Sequence, residues 1–206
     1  FLRQDRIGDL IISEPIIRFL KTKYPKLKLD ILLSKNNQLA FCGISQYIDN
    51  KYIYQKDLIT DWKLLKRLKN EKYDLVVDLM DKKSSTSGII IKFINPKYSA
   101  GLEKENSHIY NFIVPRLDEA KSHIIDRTGK LLNLFGINTE SVDLTPQFSL
   151  DFKSNSTNTC VIKRLVDDGN KIFLINLAGS NRSKYWGEAN YIEFINLASK
   201  VLPNYK

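Results

Sequence analysis

Two spacings of apolar residues alternate along this chain. Short, nearly continuous apolar runs occur at Leu27–Ser34 (L-K-L-D-I-L-L-S) and at Tyr73–Leu79 (Y-D-L-V-V-D-L). The second reads as a strand buried on both faces of a parallel sheet. Lys171–Leu177 reads as another strong strand, and Tyr52–Tyr54 as a shorter one. Between these runs the apolar positions fall at helical intervals. Trp62, Leu64, Leu65 and Leu68 sit at helical spacing in a segment that ends near Asn70. Ser84–Ile94 predicts a helix with serines at its start, where hydroxyl oxygens can accept from free N–H groups. His123–Phe135 predicts an amphipathic helix stopped by Gly136, and further helices are predicted over roughly Thr159–Asp168 and from the Ala178–Tyr185 loop through Val201.

Strands that alternate with helices in this way imply an α/β fold with a doubly wound parallel sheet. The theme breaks around Val142–Asn155, where Thr145-Pro146 gives an extended stretch and Ser154-Asn155-Ser156-Thr157-Asn158 follows. That break predicts a domain over residues 1–150, and a linker with the start of a second domain over 151–206. One strand and one or two helices cannot close a core by themselves, so the second unit is expected to be incomplete as it stands.

Composition narrows the classes. With 43% hydrophobic and 11% aromatic residues, the 206-residue chain is ordinary for a globular protein and unlike a disordered one. No apolar run approaches the ~20 residues of a membrane-spanning helix. Cys42 and Cys160 stand far apart without clustered histidines, which favours reduced core thiols over a disulfide framework or a zinc site. The formal net charge of +9 favours anionic partners, such as phosphorylated substrates or an acidic lipid surface. Most of it is lysine scattered on helix faces, as at Lys21, Lys23, Lys26 and Lys28, without the aromatic interleaving of a nucleic-acid-binding sheet.

Two strand-to-helix junctions carry the chemistry. At the first, Arg3-Gln4-Asp5-Arg6-Ile7-Gly8-Asp9 places carboxylates, two arginines and free N–H groups around one turn. Gly8 permits a backbone geometry that other residues resist. Asp9 reads either as a helix cap or as a general base toward a substrate hydroxyl. Pro15 should kink or restart the helix that follows. At the second, Ala178-Gly179-Ser180-Asn181-Arg182-Ser183-Lys184 follows a strand and opens a helix. Small residues, hydroxyls and a cation there suit a phosphate. Neither a Walker loop, a G-x-G-x-x-G run, a nucleophile elbow nor an Asp-x-Asp metal pair occurs, so metal or covalent catalysis has no support in the sequence. Asp78, at the carboxyl end of its strand, either faces a cleft or caps the next turn. His123 reads as an acceptor contact or as a plain surface histidine, and His108 has no suggestive neighbours.

These residues together resemble the bacterial heptosyltransferases, glycosyltransferase family 9. The resemblance rests on R-x-D-R-I-G-D-x-x-x-S-x-P at Arg3–Pro15, Y-D-L-V-V-D-L at Tyr73–Leu79, H-x-x-D-R-x-x-x-L-L at His123–Leu132 with Gly136-Ile137, and I-N-x-A-G-S-x-x-x-K-x-W at Ile175–Trp186. The first and last are the specific ones. The resemblance implies a GT-B-type fold: a Rossmann-like parallel-sheet N-terminal domain that binds the acceptor, plus the beginning of a second, truncated Rossmann-like domain for the nucleotide sugar, facing it across a cleft. It implies an inverting transfer of a heptose or related sugar, with ADP-heptose as donor and a lipopolysaccharide core-type acceptor. Asp9 matches the proposed base. Gly8, Gly179, Ser180 and Lys184 are the implied donor-diphosphate residues, and Arg3, Arg6, Asp78 and His123 the acceptor-side candidates. No cofactor or metal is implied. A lipid-linked, anionic acceptor implies a cytoplasmic protein peripheral to the inner membrane, with no nucleic-acid partner.

Three departures matter. Gly187 follows Trp186 where many relatives have proline, and Met80 stands where glutamine is frequent. The family's second donor signature, a D-T-G-x-x-H type loop, is expected beyond Lys206, so the stretch 1–206 alone is expected to be inactive. The alternative from another class is a non-catalytic nucleotide- or anion-binding α/β module, which would lack that second loop.

Overall fold

Six short strands make one sheet in this computed structural model, which describes residues 1–147, 171–177 and 182–205. They are β1 (Leu2–Arg3), β2 (Asp30–Ser34), β3 (Asn50–Tyr54), β4 (Leu75–Asp78), β5 (Tyr98–Leu102) and β6 (Phe112–Val114). All pair in parallel, in the order β3-β2-β1-β4-β5-β6. That is the doubly wound order of a Rossmann sheet, in which the chain runs outward one way from β1 and the other way from β4.

The helices between strands are α1 (Ile7–Ile11), α2 (Glu14–Lys23), α3 (Leu58–Asn70) and α4 (Ser85–Ile94), and α5 (Ile124–Gly129) follows β6. Strand residues alternate between two apolar layers, as a period of two requires. Leu2, Leu32, Tyr52 and Val76 pack with Leu65 and Leu68 of α3 and with Ile90, Ile91 and Ile94 of α4. On the other face, Val77, Ala100 and Leu102 meet Ile16 and Leu20 of α2 and the Leu131-Leu132 pair, while Ile31 and Leu33 meet Leu10 and Ile17.

Local chemistry sets the element ends. Pro15 sits in the first turn of α2, where its missing N–H costs nothing, so the helix restarts there after α1. Asp57 caps α3 by accepting from the Thr60 N–H at 2.8 Å, and Ser84 caps α4 by accepting from Ser87 at 3.1 Å. Asn95 closes α4 in the left-handed region at φ 51°. The predicted helix over His123–Phe135 is α-helical only to Gly129 and continues as a 3-10 segment over Lys130–Phe135, ending at Gly136 with φ 64°. Thr128 and Gly129 are weak helix formers at the change, and the Thr128 hydroxyl donates back to the Ile124 carbonyl at 2.9 Å. Strands β5 and β6 were not predicted. Y-S-A-G-L lacks a long apolar run, and its register depends on Asn111, whose side-chain oxygen accepts from the Ser99 N–H at 2.8 Å.

The chain divides into two compact units, Phe1–Leu150 and Asp151–Lys206. In the second, the described residues include a helix, α6 (Glu188–Val201). Gly187 precedes it at φ 102°, a conformation closed to proline, whose ring fixes φ near −65°. Trp186 packs edge-on against Tyr191 and Phe194, with ring centroids 5.2 and 6.0 Å away. The expected strand over Lys171–Leu177 is not formed. Among the described residues its pairing is a single bridge, Lys171 to Tyr205, and a strand exists only where a neighbour takes its N–H and C=O groups. The predicted helix over Thr159–Asp168 and the Ser154–Asn158 linker lie outside the described residues.

Gly101 of β5 has no room for a side chain. A Cβ there would come within 2.6–2.7 Å of the ring of buried Tyr110. Gly101→Ala should lower the urea midpoint by the equivalent of about 1–3 kcal/mol with the m-value unchanged.

Candidate active site

Ligands of open α/β sheets bind outside the carboxyl ends of the strands where the winding direction reverses. Here that point lies between β1 and β4, and the Arg3–Asp9 turn and the Asp78–Asp81 turn stand there side by side. Arg3 joins them. Its guanidinium is fully buried: Nε donates to the Asp9 carbonyl at 2.8 Å, and Nη1 donates to the Leu79 carbonyl. The Asp5 and Asp9 carboxylates lie 3.4 and 3.8 Å from the same guanidinium. Burial lowers the Arg3 pKa and the nearby carboxylates oppose that, Asp5 most. Behind it, Asn37 donates to the Arg3 carbonyl at 2.9 Å and accepts from the Ser34 N–H at 2.9 Å, tying the β2 loop to the turn.

Asp9 lies in the first turn of α1. One carboxylate oxygen accepts from the Arg6 N–H at 3.1 Å, so the capping contact is real. The side chain is also 24% exposed, and its other oxygen is the one turned to Arg3. Gly8 has helical rather than left-handed backbone, and a Cβ there would meet nothing within 4 Å. The conformational freedom expected of it is therefore not used. A glycine that costs a helix roughly 0.5–1 kcal/mol relative to alanine, with no steric need within the chain, leaves open space in front of the turn. Arg6 is exposed beside it.

Asp5 is the perturbed group of the turn. Burial pushes its carboxyl up to about 6, against the pull of Arg3 and with help from the neighbouring Asp9 carboxylate. Its Oδ1 is shielded from solvent without a hydrogen-bond partner.

Asp78 does not open onto the surface. It is fully buried, accepting from the Met80 N–H at 3.0 Å, the Lys104 ammonium at 3.1 Å and the Tyr110 hydroxyl at 2.6 Å. Lys104 also donates to the Met80 carbonyl at 2.6 Å, and burial lowers its pKa against the opposing charge of Asp78. Next to them Asp81 is held by two guanidiniums, Arg127 at 3.0 and 3.1 Å and Arg116 at 3.1 and 3.2 Å. Burial alone would raise the Asp81 pKa, but the two arginines bring it below the usual carboxylate range. Sequence reading missed Lys104, Tyr110, Asp81 and Arg116. Only Arg127 lay within a noted motif. His123 caps α5 with Nδ1 accepting from Ile125 at 3.3 Å, on the surface. In the second unit, Lys184 is exposed at the end of a 3-10 turn over Arg182–Lys184, whereas Gly179 and Ser180 lie outside the described residues. Among the described residues, no three His, Cys, Asp or Glu side chains gather as a metal-binding group.

A parallel sheet with a charged, open turn at its reversal point fits many chemistries, and comparison with known proteins decides among families. Residues 61–201 match the model of glycosyltransferase family 9 (heptosyltransferase), more than half of the chain. The chain belongs to glycosyltransferase family 9. It is 32% identical over 100 residues to an Escherichia coli protein called lipopolysaccharide heptosyltransferase 3, covering 44% of this chain and 28% of that one. The same-named protein of E. coli strain K12 is 34% identical over 83 residues, covering 36% of this chain and 23% of its own length. Among solved structures, the family 9 glycosyl transferase of Veillonella parvula superposes over the whole chain at TM-score 0.72 and 16% identity, with 59% of its own length covered. The E. coli heptosyltransferase WaaC with ADP superposes over 98% of the chain at TM-score 0.63 and 16% identity, with 63% of its length covered. This family 9 chain thus spans about a quarter of the length of the curated relatives and less than two thirds of the solved ones. The first unit is a Rossmann-like parallel-sheet domain of the GT-B type.

Two measurements check the site. Lys104→Met leaves the Asp78 carboxylate buried without its ammonium and should cost about 3–5 kcal/mol, much of it recovered by adding Asp78→Asn. The Asp5 carboxyl, followed by carbon-13 NMR, should titrate with a midpoint near 6. Because Asp9 is one of the charges raising that midpoint, Asp9→Asn should lower it.

Proposed function

We propose that the complete protein is a glycosyltransferase that moves a heptose, or a related sugar, from ADP-heptose to a lipopolysaccharide core-type acceptor, with inversion and with Asp9 as general base. The observation that carries this reading is the setting of Asp9. Its carboxylate sits at the reversal point of the sheet, part-exposed, oriented by the Arg6 N–H and anchored through Arg3 to the end of β4. Family membership supplies the reaction class, and the relative solved with ADP supports an adenosine diphosphate leaving group.

In this mechanism an acceptor hydroxyl gives its proton to the Asp9 carboxylate as its oxygen attacks the anomeric carbon of the donor. The bond from that carbon to the diphosphate oxygen breaks on the opposite face, so configuration inverts in a single displacement. Gly8 leaves room for the donor to approach. Gly179, Ser180 and Lys184 hold the diphosphate, with the lysine offsetting the charge that develops on it. Arg6 and His123 offer exposed groups to an anionic acceptor. Arg3 and Asp78, having no exposed surface, act from behind by fixing the two turns. No step calls for a metal or cofactor. Such an acceptor is lipid-linked, which places the enzyme in the cytoplasm against the inner membrane, with no nucleic-acid partner. No helix among the described residues is long and apolar enough to cross a membrane.

Asp9→Ala in the full-length enzyme should lower kcat by roughly 10²–10⁴-fold while the donor dissociation constant changes little. Near-normal turnover by that variant would remove Asp9 as the base.

A further inference from the structure

One surface of the first unit is at odds with a freely solvated protein. Leu58 and Ile59, in the first turn of α3, are 91% and 71% exposed, and Ile89 on α4 is 65% exposed. Trp62, one turn further along α3, is half exposed and stacks edge-on against Phe93 of α4 at 5.0 Å. Ile89 precedes Phe93 by one helical turn, as Leu58 and Ile59 precede Trp62. The two helices run the same way from the carboxyl edge of the sheet, so these five side chains form one patch rather than scattered apolar residues.

Lysines dominate the charge around the patch. The Lys66 ammonium lies 5.1 Å from the centroid of the Trp62 ring and that of Lys69 lies 5.4 Å from the centroid of Phe93. Lys56, Lys63 and Lys92 are exposed on the same two helices and the loop before them. Of the two acids in this stretch, Asp61 is turned inward and Asp57, though exposed, is engaged at the helix end. Asp57 caps α3, and buried Asp61 accepts from the Gln55 and Asp57 N–H groups at 2.8 and 3.0 Å. An apolar tip with a tryptophan at its margin and a lysine rim matches the depth profile of an anionic bilayer: acyl boundary, headgroup level, phosphate plane.

We propose that the Leu58–Ile59–Trp62–Ile89–Phe93 face and its lysines dock this protein onto a membrane rich in anionic phospholipid. The inference extends the peripheral association proposed above and rests on that reading for its setting. The binding itself needs no sugar nucleotide, so the two can fail separately. The patch lies on helices that begin at the carboxyl edge of the sheet, where Asp9 also stands, so docking through it would present that edge toward the lipid surface.

Flotation of the full-length protein with vesicles of phosphatidylglycerol and phosphatidylcholine in equal parts tests this, against phosphatidylcholine alone. The protein should float with the anionic vesicles and be released by salt. Leu58→Asp/Ile59→Asp, which changes only exposed positions, should reduce partitioning about tenfold or more, because the apolar and electrostatic contributions act together. Lys63→Glu/Lys66→Glu should remove most of the salt-sensitive part. Transfer to a soluble acceptor without acyl chains should be unchanged in both variants, and its loss in wild type would count against the reaction rather than the surface. Failure of the wild type to float, or equal flotation of the variants, overturns the proposal. So does a self-associating wild type that Leu58→Asp/Ile59→Asp turns into a monomer without any effect of vesicles, since that result assigns the patch to a second copy.

Discussion

The buried guanidinium of Arg3 is the contact on which the site depends. It holds the α1 turn through the Asp9 carbonyl and the end of β4 through the Leu79 carbonyl. These are the two pieces of chain that meet where the sheet reverses direction. A buried cation is tolerated only when its hydrogen bonds and counter-charges are in place. The fold supplies two backbone carbonyls, to Nε and Nη1, and the Asp5 and Asp9 carboxylates as counter-charges, while Nη2 is buried without a hydrogen-bond partner. The same demand fixes where Asp9 can be. The carboxylate is not a flexible surface group that happens to lie near a crevice. Its own main chain is one of the anchors of the cation beneath it.

The rest of the carboxyl edge follows the same logic. Asp78 and Asp81 of the β4 turn are each matched to cations drawn from other elements, and the matching orders the loops, whereas Asp5 faces Arg3 of its own turn. Asp78 with Lys104 and Tyr110 fastens the end of β4 to the β5 loop, and Asp81 with Arg116 and Arg127 fastens it to the segment after β6 and to α5. Asp5 is the least well matched, which is why its carboxyl is pushed up to about 6. A rigid floor of paired charge beneath a small open turn at Gly8 suits the proposed role of Asp9. A general base must be oriented before the transition state is reached, not during it.

Glycosyltransferase family 9 membership and the Rossmann-like order of the strands agree, and they concern the same part of the chain only in part. The family match begins at residue 61, beyond the Arg3–Pro15 turn, whereas the superposed structures cover that turn as well. The α3–α4 face adds a property that the crevice alone does not carry: an apolar and basic surface on helices that start at the same sheet edge.

The sequence by itself determined the strand–helix alternation, the serine cap at Ser84, the restart at Pro15 and the resemblance that led to the family. These are legible because period, proline and hydroxyl placement act within a few residues. It also marked Asp9 and left open whether it caps or reacts, and the structure shows the capping bond directly. Tertiary structure decided what depends on partners distant in sequence. β5 and β6 became strands because Gly101 accepts Tyr110 against it and Asn111 clamps Ser99, not because of their own hydrophobicity. Lys171–Leu177 has the composition of a strand, yet among the described residues it forms an isolated bridge, Lys171 to Tyr205, and no ladder. Lys104 and Arg116 looked like any other surface cations until the fold set them against Asp78 and Asp81, which lie 26 and 35 residues away from them in sequence. A charge acquires its role from what faces it after burial, and no local spacing encodes that.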